Sequence, residues 1–302
     1  MRTTGIEHNV FAVMPRKLLS PDPTGGSRPF REVFVEPGPP LDKAEASFNR
    51  AFAAVKDKIS AELDIDIDMP KRGSVVFYAR HIASGRYDET SFADAFERIV
   101  RRNIYAAQHS YIPTDELRWA AETAGQTAKS FLQSKGISFD PPDVAYHGGS
   151  YFQEGRLGKY IDYLGFIVAN DEEKDTLKFA ATVLHENIHA ASQGFVETAL
   201  DEGMTELLTM GCMTAFIKAI MSKYPGTYKI PVMYQYEVGA MTALIKFAGQ
   251  DNVLRGFFKG EDDGIIDAIG MDKWSKINKL AYSFSDLPMG QIFLGQFLEM
   301  LG

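Results

Sequence analysis

The spacing of apolar residues in the first half of the chain predicts helices. Over residues 41–63, large apolar side chains recur at intervals of three and four, which places them on one helical stripe. The same spacing predicts a helix around residues 92–100 and another over 114–135, where Gly136 is suited to ending it. Residues 74–78 are rich in valine and aromatic side chains, and this run predicts a strand.

The pattern changes between residues 137 and 170. Glycines there separate short aromatic and β-branched runs at residues 143–147, 159–164 and 166–169, which predict a small sheet with tight turns. Beyond residue 170 the apolar period is again helical. We therefore expect an α+β fold that is mostly helical, with a small sheet before a helical C-terminal part.

A histidine motif lies in the first helix predicted after the sheet. We expect this helix over residues 170–194, begun by a capping box of Asn170 with Glu173 and ended by Gly194. It contains the sequence His185-Glu186-Asn187-Ile188-His189. Residues four apart share a helix face, so both imidazoles can bind one metal ion, with the Glu186 carboxylate beside them.

A catalytic zinc ion needs a third protein ligand, and Glu202 is the candidate. The next helix is predicted to begin near residue 199, so a short turn makes the two helices antiparallel. At the rise of an α-helix, His189 and Glu202 are equally far from that turn, and so are His185 and Glu206. We expect Glu206 to accept the outer N–H of His185, although an exposed helix glutamate is the alternative. His147 is a competing ligand, which we interpret as a surface loop histidine.

These residues resemble the gluzincin zinc metallopeptidases, the group with HExxH and a downstream glutamate to which thermolysin belongs. The resemblance is carried by His185, Glu186, His189, Glu202 and Glu206 and covers about residues 110–250. In thermolysin-like members the interval from the second histidine to the glutamate is longer, and an aspartate replaces Glu206. The chain thus looks like a compact bacterial relative, with a zincin-like fold.

The resemblance implies zinc-dependent hydrolysis of a protein or peptide substrate, with Glu186 as the general base. It also implies a donor to the oxyanion, for which Tyr234 and Tyr236 are candidates. The stretch 158–163 is the expected substrate edge, because zincins bind extended peptides along a strand. Two alternatives remain: a zinc hydrolase of a non-peptide amide, and an inactive zincin-fold binding protein.

Three segments follow from these features. Residues 1–41 are rich in proline and glycine and predict a flexible arm. Residues 42–110 form a mainly helical N-terminal portion, and residues 111–302 form the zincin-like catalytic domain.

Composition narrows the partners and the location. A net charge of −8 disfavours nucleic acid as a partner, since polyanions require clustered basic residues. The apolar stretch 210–221 is too short to span a bilayer, so we expect no membrane insertion. The lone Cys212 and the lack of a signal-like apolar run in residues 1–20 lead us to expect a cytoplasmic protein, with export by a route without a classical signal peptide as the alternative.

Overall fold

The computed structural model describes residues 41–85, 87–148, 151, 157–172, 175–196, 198–223, 234–283 and 290–302. Pro39–Gly302 form one compact unit. Of the predicted N-terminal arm, only Leu41 is among the described residues, and it begins the first helix.

The described residues are mostly helical with a small sheet, which agrees with the predicted α+β class. The helices are α1 (Leu41–Leu63), α2 (Arg72–Ala83), α3 (Glu89–Gln108), α4 (Asp115–Ser134), α5 (Thr176–Ala191), α6 (Thr198–Lys223), α7 (Gln235–Ala248), α8 (Gln250–Lys259), α9 (Asp263–Ile269), α10 (Met271–Ser283) and α11 (Gly290–Leu301). The strands are β1 (Asp143–His147), β2 (Gly158–Ile161) and β3 (Phe166–Asn170).

The N-terminal helices pack around an aromatic core. Phe48 on α1 and Phe96 on α3 are fully buried, and their rings meet edge to face at 6.0 Å. The strand predicted at residues 74–78 is wrong, because this run lies inside α2. Val75 and Ala79 are buried four residues apart, in one cluster with side chains of α1. A short apolar run fits either period, and here the packing partner decides.

The three strands follow the order β1-β3-β2, so β2 is an edge strand among the described residues. β1 is parallel to β3 and β2 is antiparallel to it. The predicted strands are confirmed, except that β2 ends at Ile161 instead of residue 164. The chain turns there, because the backbone N–H groups of Leu164 and Gly165 donate to the Ile161 carbonyl and Gly165 has a φ of 67°.

The predicted start of the motif helix is wrong. Asn170 is the last residue of β3 and pairs with His147, while Glu173 lies outside the described residues. α5 begins at Thr176, and the Asp175 carboxylate caps it by accepting from the N–H groups of Leu177 and Lys178. Asparagine at 170 and aspartate at 175 are both favourable N-cap residues, so the sequence alone does not decide where the helix begins.

One described helix is long and apolar enough to cross a membrane by length and composition, at Ala199–Lys223 within α6. In this protein α6 packs against α4, α5, α7 and α10. Cys212, Met213, Phe216 and Ile220 are buried in these contacts. The apolar composition of α6 is therefore accounted for by its place in the core, where it also presents its first turns to α5.

Candidate metal centre

Three potential ligand atoms converge between α5 and α6. His185 Nε2 lies 3.0 Å from Glu202 Oε2 and 3.1 Å from His189 Nε2. His189 Nε2 lies 3.4 Å from Glu202 Oε2, which closes a nearly regular triangle. Among the described residues, this is the group of histidine, cysteine and acidic side chains arranged to hold a metal ion.

The dimensions and chemistry of the triangle suit a small divalent cation. Tetrahedral coordination with bonds of about 2.0–2.1 Å requires ligand atoms about 3.3 Å apart, close to all three observed separations. Two imidazole nitrogens that point at each other and at a carboxylate also leave lone pairs facing one another, an arrangement that a cation stabilises. The donor set therefore fits a metal ion, and two histidines with one glutamate are a known set for catalytic zinc.

Electrostatics in the metal-free triangle favour the charged forms of all three ligands. Burial by itself would lower the pKa of His185, but the carboxylates of Glu202 and Glu206 outweigh it and raise that pKa to about 9. Burial likewise opposes protonation of His189, yet Glu202 and Asp201 raise its pKa well above 6.5. Burial would raise the pKa of Glu202, and the two imidazoles instead lower it strongly. A metal ion must therefore displace protons to bind.

Each histidine also has a carboxylate at its other ring nitrogen. His185 Nδ1 lies 3.2 Å from Glu206 Oε2, and the Glu206 side chain is only 2% exposed. His189 Nδ1 lies 3.1 Å from Asp201 Oδ2 and 3.3 Å from Thr205 Oγ1. When a metal ion is bound by both Nε2 atoms, both Nδ1 atoms carry hydrogens and can donate to these acceptors. Glu206, Asp201 and Thr205 together hold the two rings in orientation.

The turn between α5 and α6 is built around Asp201. Its Oδ1 accepts the N–H of Phe195 at 3.0 Å, while its Oδ2 faces His189. Gly194 has a φ of 74°, and a Cβ at this position would lie 2.6 Å from Asp201 Oδ1. Glycine is thus required here both for the backbone conformation and for the close approach of the carboxylate. The turn therefore positions the Asp201 carboxylate against Nδ1 of His189, the ring nitrogen that faces away from the potential metal position.

Glu186 lies beside the triangle and contacts the edge strand. Its Oε2 accepts the backbone N–H of Tyr160 on β2 at 2.7 Å. This contact depends on Gly158, where a Cβ would lie 2.5 Å from Thr182 Cγ2 and 3.3 Å from Glu186 Cγ. The missing side chain lets β2 approach α5 closely. The carboxylate of Glu186 is therefore held between the motif helix and the edge strand.

The two tyrosines predicted as oxyanion donors occupy different places. The ring of Tyr234 stacks on that of His185 with centroids 5.7 Å apart, and Tyr234 lines the cleft at the site. Tyr236 is half-buried on α7 and is not among the described residues that line this cleft. The approach of α7 to α6 depends on Gly203, where a Cβ would lie 2.6 Å from the Glu237 carbonyl oxygen. Tyr234 is thus the candidate that the fold brings to the metal position.

The triangle opens into a cleft of about 610 Å³. His185 is nearly buried, whereas His189 and Glu202 are 16% and 24% exposed and face this space. The walls are formed by residues in or next to α2 and β2, by α5, by the turn between α5 and α6, and by the residue before α7: Lys71, Ser74, Phe77, Tyr78, Lys159, Tyr160, Asp162, Glu186, Gln193, Phe195, Val196 and Tyr234. One side of the potential metal position is therefore open to the cleft.

The interpretation of His147 as a surface loop histidine is wrong. His147 ends β1, is 6% exposed, and its Nε2 lies 2.6 Å from the Ala106 carbonyl oxygen. Its ring also packs near those of Tyr111 and Tyr151. The following glycine suggested a turn, but the parallel pairing with β3 continues through His147 and buries it. His147 is not part of the metal group found among the described residues.

Sequence reasoning missed three contributors to the site. Neither Asp201 nor Thr205 is among the predicted site residues, although both face His189 Nδ1. Helical spacing could have found Thr205, because it lies three residues after Glu202 and four after Asp201 on α6, and residues at these intervals share a helix face. Lys71 donates from its Nζ to the last carbonyl groups of α5. No sequence signal links Lys71 to a motif 118 residues away.

Comparisons with known proteins supply no relative. No protein-family model, no curated protein and no solved structure matches this chain.

Proposed function

We propose that this protein is a zinc-dependent metallopeptidase with Glu186 as its general base. The observation that carries the proposal is the triangle of His185 Nε2, His189 Nε2 and Glu202 Oε2, open on the side of the cleft where Glu186 lies. Two histidines with one carboxylate also occur in iron sites, but a glutamate next to the first histidine favours hydrolysis.

When bound, a zinc ion supplies Lewis acidity that polarises a carbonyl oxygen and lowers the pKa of a nearby water. Glu186 supplies the base. Its Oε2 is held by the Tyr160 N–H, and Oε1 has no hydrogen-bond partner among the described residues. Oε1 would accept a proton from the attacking water as the new C–O bond forms, and return it to the amide nitrogen as the C–N bond breaks.

The remaining residues orient the two imidazoles and stabilise the oxyanion. Glu206 and Asp201 hold the two imidazoles in the tautomer that directs both Nε2 atoms to the metal position. Tyr234, beside His185, is the candidate to donate its hydroxyl hydrogen to the oxyanion. β2 borders the cleft as an edge strand, which supports an extended peptide as the substrate in preference to a compact amide.

Metal analysis combined with one substitution tests this function. The purified protein is analysed for bound metals and then incubated with a mixed peptide library and with a panel of small amides. We expect zinc to be bound and peptides to be cleaved. Glu186→Gln should retain zinc while hydrolysis falls by about 10²- to 10⁴-fold, the usual contribution of a general base.

The matched control is Glu299→Gln, which makes the same chemical change at an exposed position on α11. It should leave hydrolysis unchanged. Cleavage of small amides alone would favour the non-peptide alternative, and iron in place of zinc would contradict the proposal. Full activity of Glu186→Gln would also contradict it, and a protein that binds no metal and cleaves nothing would favour the inactive binding protein.

A further inference from the structure

Lys71 lies outside the histidine motif but reaches its helix. It occupies the residue before α2, and its side chain extends to the C-terminal end of α5. There the Nζ group donates to the carbonyl oxygens of His189 and Ser192, and to that of Ala190 at 3.2 Å. The ammonium has three donors, and all three are directed at the last turn of the helix that carries the metal ligands.

The charge of Lys71 suits this position. The last carbonyl groups of a helix lack partners within the helix and carry partial negative charge, so a cation stabilises them. Burial lowers the pKa of the Lys71 ammonium to about 8, while the carboxylates of Asp201 and Asp162 oppose that change. Asp201 is the same carboxylate that faces His189 Nδ1. Lys71 therefore donates to the backbone of His189 and interacts electrostatically with the acceptor of its ring.

Lys71 also contacts the end of the edge strand. Its backbone N–H donates to Asp162 Oδ2 at 2.9 Å, and its Nζ lies 4.8 Å from the centre of the Tyr160 ring. The backbone of Tyr160 in turn holds the Glu186 carboxylate. A single residue thus touches the start of α2, the end of β2 and the end of α5, which are the three elements that surround one side of the metal position.

We propose that Lys71 is a positioning residue of the metal centre, which fixes the last turn of α5 so that His189 Nε2 completes the ligand triangle. This inference rests on the proposed metal binding of His185, His189 and Glu202, and is independent of which bond the protein cleaves. It assigns a function in the site to the N-terminal helical portion, through the residue that precedes α2.

The test compares Lys71→Met with Lys273→Met in the full chain. Lys273 Nζ likewise donates to a carbonyl oxygen at a helix end, that of Leu301 on α11, at 3.1 Å. Zinc affinity is measured by competition with a chromophoric chelator, and the ligand geometry by the visible absorption of the cobalt-loaded protein. Thermal unfolding of the metal-free proteins reports the purely structural cost of each change.

We expect Lys71→Met to weaken zinc binding by about 10- to 100-fold, as loss of an outer partner does, and to alter the cobalt spectrum. Lys71→Arg, which retains the charge and the donors, should restore part of the affinity. Lys273→Met should leave affinity and spectrum unchanged even if it lowers the unfolding temperature. If Lys71→Met does not fold, Lys71→Gln replaces it with the same expectation.

Two results would overturn the inference, and they differ. If the wild-type protein binds zinc and the Lys71 variants bind it equally well with the same cobalt spectrum, Lys71 has only a structural role. If the wild-type protein itself binds neither zinc nor cobalt, the proposed function fails, and the positioning role fails with it.

Discussion

The helix pair α5 and α6 and the cleft wall formed by α2 and β2 contribute to one site in different ways. The helix pair provides all three potential metal ligands and both outer carboxylates, within 22 residues of sequence from His185 to Glu206. The wall provides no ligand to the triangle, but its Lys71 and Tyr160 contact the ligand helix and Glu186. The potential ligands are thus close together in the sequence, whereas the contacts that restrain them come from distant segments.

The difference has a physical origin. Ligands must meet one ion at bond distance, and two adjacent antiparallel helices place side chains at matching heights through their regular rise. The cleft wall contacts α5 through single residues at the ends of α2 and β2. Its effect on the site therefore depends on how closely the backbones of α2 and β2 approach α5. The helix pair should therefore control whether metal binds, and the wall should control how rigidly the bound site is held.

The largest effect is expected from removing a ligand on the helix pair. Glu202→Ala should weaken zinc binding by more than about 100-fold, beyond the range typical of an outer partner. The physical reason is that two imidazoles alone leave the coordination incomplete. Competition with a chelator measures the affinity, and Glu299→Ala on the exposed face of α11 is the control. Unchanged affinity would mean that Glu202 is not a ligand.

A change in the wall should next affect stability and hydrolysis together. The Cβ of Gly158→Ala would lie 2.5 Å from Thr182 Cγ2, and Thr182 cannot rotate freely because its hydroxyl donates to the Lys178 carbonyl. We expect a loss of about 1–3 kcal/mol in the free energy of unfolding, as for other overpacked sites. Hydrolysis should fall as well, because β2 moves away from Glu186. Chemical denaturation and peptide cleavage are the measurements.

Two further variants sharpen this result. Gly295→Ala is the control, since a Cβ there meets nothing within 4 Å and the residue lies within α11. It should be neutral or stabilise by up to about 1 kcal/mol through helix propensity. Thr182→Ser removes the obstructing methyl group and should partly restore the Gly158→Ala protein. If that suppression is absent, close approach of β2 to α5 is not the cause.

Within the helix pair, the two outer carboxylates should differ in effect. Glu206→Gln and Asp201→Asn should each weaken zinc binding by about 10- to 100-fold. We expect the smaller loss for Asp201→Asn, because Thr205 Oγ1 remains 3.3 Å from His189 Nδ1 as a second acceptor. Chelator competition on both variants measures the difference. A larger loss for Asp201→Asn would show that the turn it organises matters more than its charge.

The smallest effect is a pH dependence that the metal should abolish. In the metal-free protein the pKa of His185 is raised from 6.5 to about 9, so its stabilising contribution is full below pH 6.5 and is lost as the pH rises through 9. We expect the unfolding temperature of the metal-free protein to fall by a few degrees between these values. With saturating zinc, which holds the imidazoles deprotonated, that fall should disappear. Parallel curves with and without zinc would contradict the assignment.

Much of the site could be read from regular geometry in the sequence. The interval of four between His185 and His189, and the matching heights of Glu202 and Glu206 across a short turn, follow from helix periodicity. The same periodicity indicated α1, α3 and α4, and alternation with glycine punctuation indicated the three strands. It failed at residues 74–78, where a short apolar run satisfied a strand pattern but packs as a helix against α1.

What the sequence alone determined about this protein is which side chains two neighbouring helices direct at one point, because helical rise is the same in every protein. Only the tertiary structure decided what surrounds that point. It buried His147 away from the ligands, brought Tyr234 and not Tyr236 into the cleft, and carried Lys71 to the end of α5. These outcomes depend on the close approach of distant backbones, and no local spacing rule encodes such an approach.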